Sequence, residues 1–387
     1  GLSCDLAIVH RDDNLYEKSL ANQLKEIIGT SHARSLVGQN GGIFLIDAAT
    51  LPDEDLSLLV SVASLVLDSR KGGIAQQLQQ TVSVADIPLL QPAEPVEYGD
   101  ESVPMPELRF FNGMGGFTDD EYVILLKGEE TTPAPWVNVC ANPAFGCLIS
   151  ESGSVFTWSD NSGENKLTPW NNDAVGDTGG EFLLLRDNET AHVWSVTPSP
   201  MRESQDYLVR HGFGYSSFIH NSNGLKQSLT IFAAREESVK CSLLRIKNVS
   251  GHQRKISLLH YLKPVMGSSE EFYSKHVIAG YRDSVLLFRN PYNTAFPGQR
   301  LFVGISYDTF TYTCDCFEFF GNCQQRLVEA ALRRERFSNT CGSFADICSG
   351  IMAEITMEAL QESSVVIVMG TADSEEEAIR LCKRYTV

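Results

Sequence analysis

Basic residues are scarce in this chain: 31 Lys and Arg stand against 49 Asp and Glu, for a net charge of −18 over 387 residues. A nucleic-acid surface needs clustered cations to neutralise phosphates, so the balance argues against that partner. It argues equally against an anionic membrane surface. Long apolar runs are also missing. The most apolar stretch, Leu56 to Leu67, is bounded by Asp55 and Asp68 and falls short of the ~20 residues that span a bilayer. The N-terminus lacks the basic start and apolar centre of a secretory signal. Ten cysteines are present, but they are spread along a large chain rather than packed into a small framework, which fits a reducing, cytosolic compartment. Cys314-x-Cys316 with Cys323 beyond it comes nearest to a metal pattern. The spacing for a fourth ligand is absent, so buried thiols are the better reading than zinc. Cofactor and nucleophile signatures are lacking too. Gly113-Met-Gly115-Gly116 runs into Phe117-Thr-Asp-Asp instead of a phosphate-binding helix, and HGFGYSSF (211–218) is no GxSxG elbow. No cofactor is expected.

What is present divides the chain. Residues 1–87 read as a helical, α/β segment: from Asn14 to Ile28, Leu15, Leu20, Leu24, Ile27 and Ile28 recur at near-helical spacing, and GGIFLIDA (41–48) reads as a short strand. TLPDED then opens a second helix, with Leu56, Leu59, Val60, Ala63, Val66 and Leu67 as its apolar stripe. Residues 88–107, rich in proline and acids, read as a linker or an extended crossover and as the best domain boundary. From 108 to 372 short runs of Val, Ile, Leu, Phe and Tyr alternate with turn signals, among them Asp187–Thr190, Asn223-Gly224 and Asn248–Gly251. That pattern predicts a mainly β fold, a large antiparallel β-sandwich. Ser374-Glu-Glu-Glu377 reads as a capping box, and Ala378, Leu381, Cys382 and Tyr385 continue as an apolar stripe. A short helix there with no terminator suggests a piece of a longer protein.

One segment resists a purely structural reading. In VFTWSDNSGENKLTPWNND (155–173) two tryptophans bracket a run of Asn, Asp, Ser and Gly without apolar periodicity. Flat rings stack on the C–H faces of sugars, while amides and lysine pair with hydroxyls. Trp158 and Trp170 are therefore candidate platforms, with Asn165, Lys166 and Asn172 as hydroxyl partners. Paired acids such as Asp119-Asp120 and Glu270-Glu271 are better read as solvated surface than as a glycosidase pair, because strand neighbours point to opposite faces.

RFFNGMGGF (109–117), EYVI (121–124), TPAPWVNVCANPAFGCLISESGS (132–154), the tryptophan segment, LRD…VWS (185–195), VRHGFGYSSF (209–218) and RNPYN (289–293) occur in order. Together they resemble the N-terminal β-sandwich of glycoside hydrolase family 94, formerly glycosyltransferase family 36. The nearest branch acts on β-1,2-glucans and contains cyclic glucan synthases and oligoglucan phosphorylases. The first ninety or so residues resemble the segment preceding that domain in the synthases. The family pattern departs at Gly163, where an arginine is common.

The resemblance implies a galactose-mutarotase-like supersandwich that is non-catalytic by itself. Inorganic phosphate and the acidic catalyst would be bound outside this chain, in an (α/α)6 barrel, and residues 373–387 would begin the linker to it. It implies a β-glucan oligosaccharide ligand, a loop leaning over the cleft, a homodimer contact, and a cytoplasmic site or the cytoplasmic side of a membrane-bound parent. Arg186, Arg210 and His211 fall in its strongest motifs and are candidate sugar contacts, with hairpin pinning as their alternative role. Two other readings stand beside it: a free-standing carbohydrate-binding or dimerisation module, and a mutarotase-like epimerase using His211 or His260.

Overall fold

The structure, a computed structural model, describes residues 5–11, 19–31, 33–63, 65–71, 73, 77, 87–94, 96, 98, 99, 101–173, 175–321 and 332–386. It forms two compact units, Gly1–Val66 and Leu67–Val387.

In the first unit, strand Leu6–His10 pairs in parallel with Ile43–Asp47, and helix Ser19–Thr30 lies between them in sequence. The expected strand over 41–48 is thus present. Its partner, the apolar run LAIVH, is an addition to the sequence reading. Residues 12–18, where the first helix was expected to begin, lie outside the described residues. The second helix covers only Asp53–Val62, because Ala63 turns extended (φ −70, ψ 127). It is shorter than its apolar stripe. Val60 is exposed within it and Val66 and Leu67 beyond it, and Leu56 and Leu59 are only half-buried, so little burial among the described residues offsets the weak helix propensity of the valines.

The second unit is antiparallel throughout its named strands. Ten strands run in the order Ile278–Arg282, Val285–Arg289, Arg300–Ile305, Glu362–Ala372, Val239–Asn248, Leu225–Ala233, Tyr215–Ser222, Tyr207–Gly212, Glu121–Leu126, Gly115–Phe117. Five form a second sheet: Thr311–Asp315, Ile347–Met357, Arg254–Leu262, Glu181–Asp187, Val193–Ser195. A small sheet holds Val137–Ala141, Phe145–Ser150 and Val155–Ser159. Alternation explains the stacking. Leu225, Gln227, Leu229 and Ile231 point inward from one strand, and the inner faces of all three sheets share one apolar core, with Leu244, Leu258, Phe145 and Trp194 among its members.

Asn223-Gly224 closes a hairpin with both residues at positive φ (54 and 71), the geometry that favours such a pair. The turn expected at 248–251 is also present, but it joins two sheets. The strands on either side belong to different sheets, Val239–Asn248 to the ten-stranded and Arg254–Leu262 to the five-stranded, so this is a corner of the sandwich and not a hairpin.

At the centre, charges tie the three sheets together. The buried Lys240 ammonium contacts the Glu181 carboxylate and reaches Thr157 Oγ1 at 3.1 Å, while His260 Nε2 lies 3.3 Å from Glu181 Oε1. Burial alone would raise the Glu181 pKa, but Lys240 and His260 outweigh it and hold the group at about 2.

Residues 88–107 are not a free linker. Leu90 N donates to Arg333 O and Ala93 N to Glu189 O, both at 2.8 Å. The Arg254 guanidinium lies 4.7 Å from the centre of the Tyr98 ring, and Val103 packs with Val123 and Leu208. The segment is a strap laid on the sandwich. A variant starting at residue 108 should expose Val123 and Leu208 and melt below the full chain; an equal melting temperature would deny the strap any structural weight.

Helix Glu375–Thr386 packs Ala378, Ile379, Leu381 and Cys382 onto Val239, Cys241, Leu287, Phe302 and Val368 on the far face of the ten-stranded sheet. Half of the capping box forms: Ser374 Oγ accepts from Glu377 N at 3.2 Å. The Glu377 carboxylate turns instead to Arg380 (2.7 and 2.8 Å). Among the described residues no helix is long and apolar enough to cross a membrane.

Candidate functional site

The tryptophan segment begins as a strand and ends as a loop. In Val155–Ser159 the period of two sends Val155, Thr157 and Ser159 inward, all buried, and leaves Phe156 and Trp158 on the other face. Trp158 lies directly across from Gly146, and a methyl group added there would run into its indole. The glycine is therefore a seat for the ring. Phe156 stands between the tryptophans, with ring centres 5.4 Å from Trp158 and 5.2 Å from Trp170. Phe156 is itself 6% exposed, while Trp170 is 40% exposed and Trp158 half-buried. The result is three rings side by side on the outer face of the small sheet.

The loop that joins them is shaped locally. Asn161 Oδ1 accepts from Gly163 N (2.8 Å) and Glu164 N (3.0 Å), a side-chain turn of the kind asparagine favours. The chain then returns to pair again. Asn165 and Leu167 are fully buried, and Lys166 between them points out. Asn165 is thus withdrawn from the surface: its Nδ2 donates to Gln299 Oε1 at 2.8 Å. The Lys166 ammonium stays on the outer face, donating to Gly163 O (2.7 Å) and Ser268 O (2.8 Å). Asn172 is exposed, at φ 47.

The remaining candidates lie elsewhere. Arg186 is 0% exposed. It donates to Leu332 O (2.5 Å), Arg334 O (2.7 Å), Asn188 Oδ1 (2.9 Å) and Ser257 Oγ (3.0 Å). Burial pulls its pKa from 12.5 down to about 10, which leaves it charged at neutral pH. With its donors spent on the interior, Arg186 pins the 332–334 segment to the five-stranded sheet, so the hairpin-pinning role applies and no sugar can reach it in this conformation. Arg210 Nε faces Glu121 Oε2 at 3.2 Å, and Tyr215 donates its hydroxyl to Glu121 Oε1 at 2.6 Å. His211 Nε2 reaches Trp136 O at 3.1 Å and Nδ1 reaches Ser216 Oγ at 2.9 Å. A carbonyl can only accept, so Nε2 carries the proton, and burial lowers the pKa to keep the ring neutral. These two residues tie three neighbouring strands and the Trp136 carbonyl together, away from the three-ring face.

Phe156, Gly146 and the Lys240–Glu181–His260 cluster escaped the sequence reading. Alternation in VFTWS would have found the first; the other two needed strand register. Cys314 and Cys316 are both buried, as the sequence reading favoured. The strand holding Cys314 ends at Asp315, which caps helix Cys316–Phe320 by accepting from Phe317 N at 2.9 Å. Cys314 joins the core between the sheets and Cys316 joins the cluster behind the five-stranded sheet, so the two do not share a face. Cys323 lies outside the described residues.

A model of the glycosyl hydrolase 94 supersandwich domain matches residues 120–387. Cyclic beta-(1,2)-glucan synthase NdvB of Rhizobium meliloti (strain 1021) is 30% identical over 402 aligned positions, which cover 97% of this chain and 14% of that protein. N,N'-diacetylchitobiose phosphorylase of Vibrio furnissii is 26% identical, over 69% of this chain and 34% of the relative. A solved galactose mutarotase-like protein from Lactobacillus casei ATCC 334 superposes at a TM-score of 0.39 with 8% identity, over 61% of this chain and all of that one. That likeness is too loose to argue from. The chain spans 14% and 34% of the length of the two relatives by sequence. Since the family model runs through all three sheets of the second unit and its closing helix, this chain belongs to glycosyl hydrolase family 94 and carries its supersandwich domain.

Proposed function

We propose that the chain is the non-catalytic, carbohydrate-contacting part of a β-1,2-glucan-active enzyme, a cyclic glucan synthase or an oligoglucan phosphorylase. Its relatives by sequence are a β-glucan synthase and disaccharide phosphorylases. Bond chemistry would reside in a helical barrel outside this sequence, where inorganic phosphate would also bind. The observation that carries the reading is the three-ring face. Trp158 and Trp170, braced by the buried Phe156 between them, offer flat apolar planes next to a lysine and an exposed Asn172, the combination that grips a sugar by its C–H faces and its hydroxyls. Held over a cleft, such a face aligns the glucan and excludes water without touching the reacting bond.

Val137 and Val139, 46% and 54% exposed on that same sheet face, have nothing to offer a hydroxyl. They favour a protein neighbour at this edge, either the barrel or a second copy of the chain. The described cysteines are free thiols, in keeping with a cytoplasmic setting. An epimerase would need a histidine and a glutamate that a sugar can touch; His260 and Glu181 are 1% and 6% exposed, and both ring nitrogens of His211 are engaged by Ser216 and Trp136.

Titration with linear β-1,2-gluco-oligosaccharides, followed by tryptophan fluorescence, tests the reading. Trp170→Ala should weaken binding about tenfold, near 1.4 kcal/mol. Unchanged affinity would remove the three-ring face from the site. Millimolar affinity of the intact chain fits a lid working against a cleft, whereas micromolar affinity fits an autonomous binding module.

A further inference from the structure

One row of directly opposed residues crosses the small sheet and continues past its edge. Ala141 faces Gly146, Gly146 faces Trp158, Trp158 faces Lys166, and Lys166 faces Gly267. Opposed residues of antiparallel neighbours project to the same side, so the five positions share one surface. It is the outer one. Thr157 and Ser159 beside Trp158, and Asn165 and Leu167 beside Lys166, are at most 2% exposed. Two of the five are glycines, and a ring sits over each: Trp158 over Gly146 and Tyr273 over Gly267.

The row leads into further aromatic surface at both ends. Past Gly267, Tyr273 meets Tyr292 edge-on at 5.4 Å, and Tyr292, 54% exposed, stacks on His276 at 4.4 Å. At the other end Ala141 lines an open groove of about 850 Å³ together with Phe213, Tyr215, Phe232 and Arg235. Phe213 there is 93% exposed, and the Tyr215 ring lies over Gly212.

We infer that this row is the floor of a track that holds an uncharged oligosaccharide chain laid across the strands, not a single sugar at Trp158. The inference rests on the carbohydrate reading above and adds the ligand's length and direction. Four strand spacings of about 4.8 Å give the floor a span of roughly 19 Å before either aromatic end is counted, far more than one sugar ring needs. Charge also fits an uncharged chain. Lys166 is the one ionisable side chain in the row, and its ammonium is committed to two backbone carbonyls. On a chain of net charge −18 an anionic polymer meets general repulsion and finds no free cation in the row.

The test is calorimetric titration of the full chain with β-1,2-gluco-oligosaccharides from disaccharide to decasaccharide, repeated for Tyr292→Ala, Phe213→Ala and Trp170→Ala. Both end residues are exposed, so their loss spares the core. Affinity should climb about tenfold or more with length. Each end variant should remove part of that climb and leave the disaccharide unaffected, while Trp170→Ala weakens every length. An affinity independent of length, or a climb untouched by both end variants, overturns the track even if Trp170→Ala still weakens binding, and the three-ring site then stands alone. Binding indifferent to Trp170→Ala overturns the carbohydrate reading, and the track with it.

Discussion

Glu181→Gln should cost about 3–5 kcal/mol of stability, the penalty for stranding a buried charge without its partner. The variant keeps its shape, but Lys240, 1% exposed, loses the negative charge that neutralises it and is left with neutral acceptors, Thr157 Oγ1 among them. Because the cluster joins three sheets, the loss should appear as a lower melting temperature of the whole sandwich. Glu181→Gln combined with Lys240→Met should recover much of it, since removing both charges leaves nothing unpaired. The pH dependence follows from the depressed pKa. Glu181 is held at about 2 against an ordinary 4.5, so its contribution is complete above pH 4.5 and is lost as pH falls towards 2. Wild type and Glu181→Gln should therefore converge in stability across that acid window. Equal melting temperatures at neutral pH would show that the pair does not hold the sheets.

Arg254→Met should be the next most damaging change, at about 3 kcal/mol or somewhat more. Arg254 is 1% exposed and pairs with the buried Asp187 carboxylate. It also donates to Asn223 O at 3.0 Å and presents its guanidinium to Tyr98. Asp187 retains the amides of Glu189 and Thr190 (2.7 and 3.3 Å), which keeps the cost towards the low end. Loss of the cation over Tyr98 should also loosen the 88–107 strap, so limited proteolysis ought to cut there in the variant before the sandwich opens. Cleavage at the wild-type rate would mean that the strap's other contacts, among them its backbone bonds, Val103 and the Glu101–Lys226 ion pair, hold it without Arg254.

Sequence and structure agree most where the information is local. Asn223-Gly224 specified a hairpin because two residues at positive φ decide that turn by themselves. Asn248–Gly251 carries turn chemistry of the same kind, yet it moves the chain between sheets; which strand a turn delivers to is settled by partners far away in sequence. The strap shows the same limit. Its prolines announce extended chain, but Tyr98 and Val103 acquire meaning only against Arg254, Val123 and Leu208. Arg186 was the least legible of the candidate site residues. A charged residue is seldom fully buried, and the carbonyls that accept from it come from a segment about 150 residues away. In the tryptophan segment the alternation in VFTWS and NKL already separated Phe156, Trp158 and Lys166 from Asn165, whereas the seat at Gly146 could be seen only once the strands were in register.

Those seats have a thermodynamic corollary. A ring resting on bare backbone has already surrendered its rotamers during folding, so closing a sugar against Trp158 or Tyr273 should forfeit little further disorder in the protein. Replacing Gly146 by alanine would leave the indole present but untethered, and the toll would then fall on each encounter with ligand, as a less favourable entropy of association at nearly unchanged contact area.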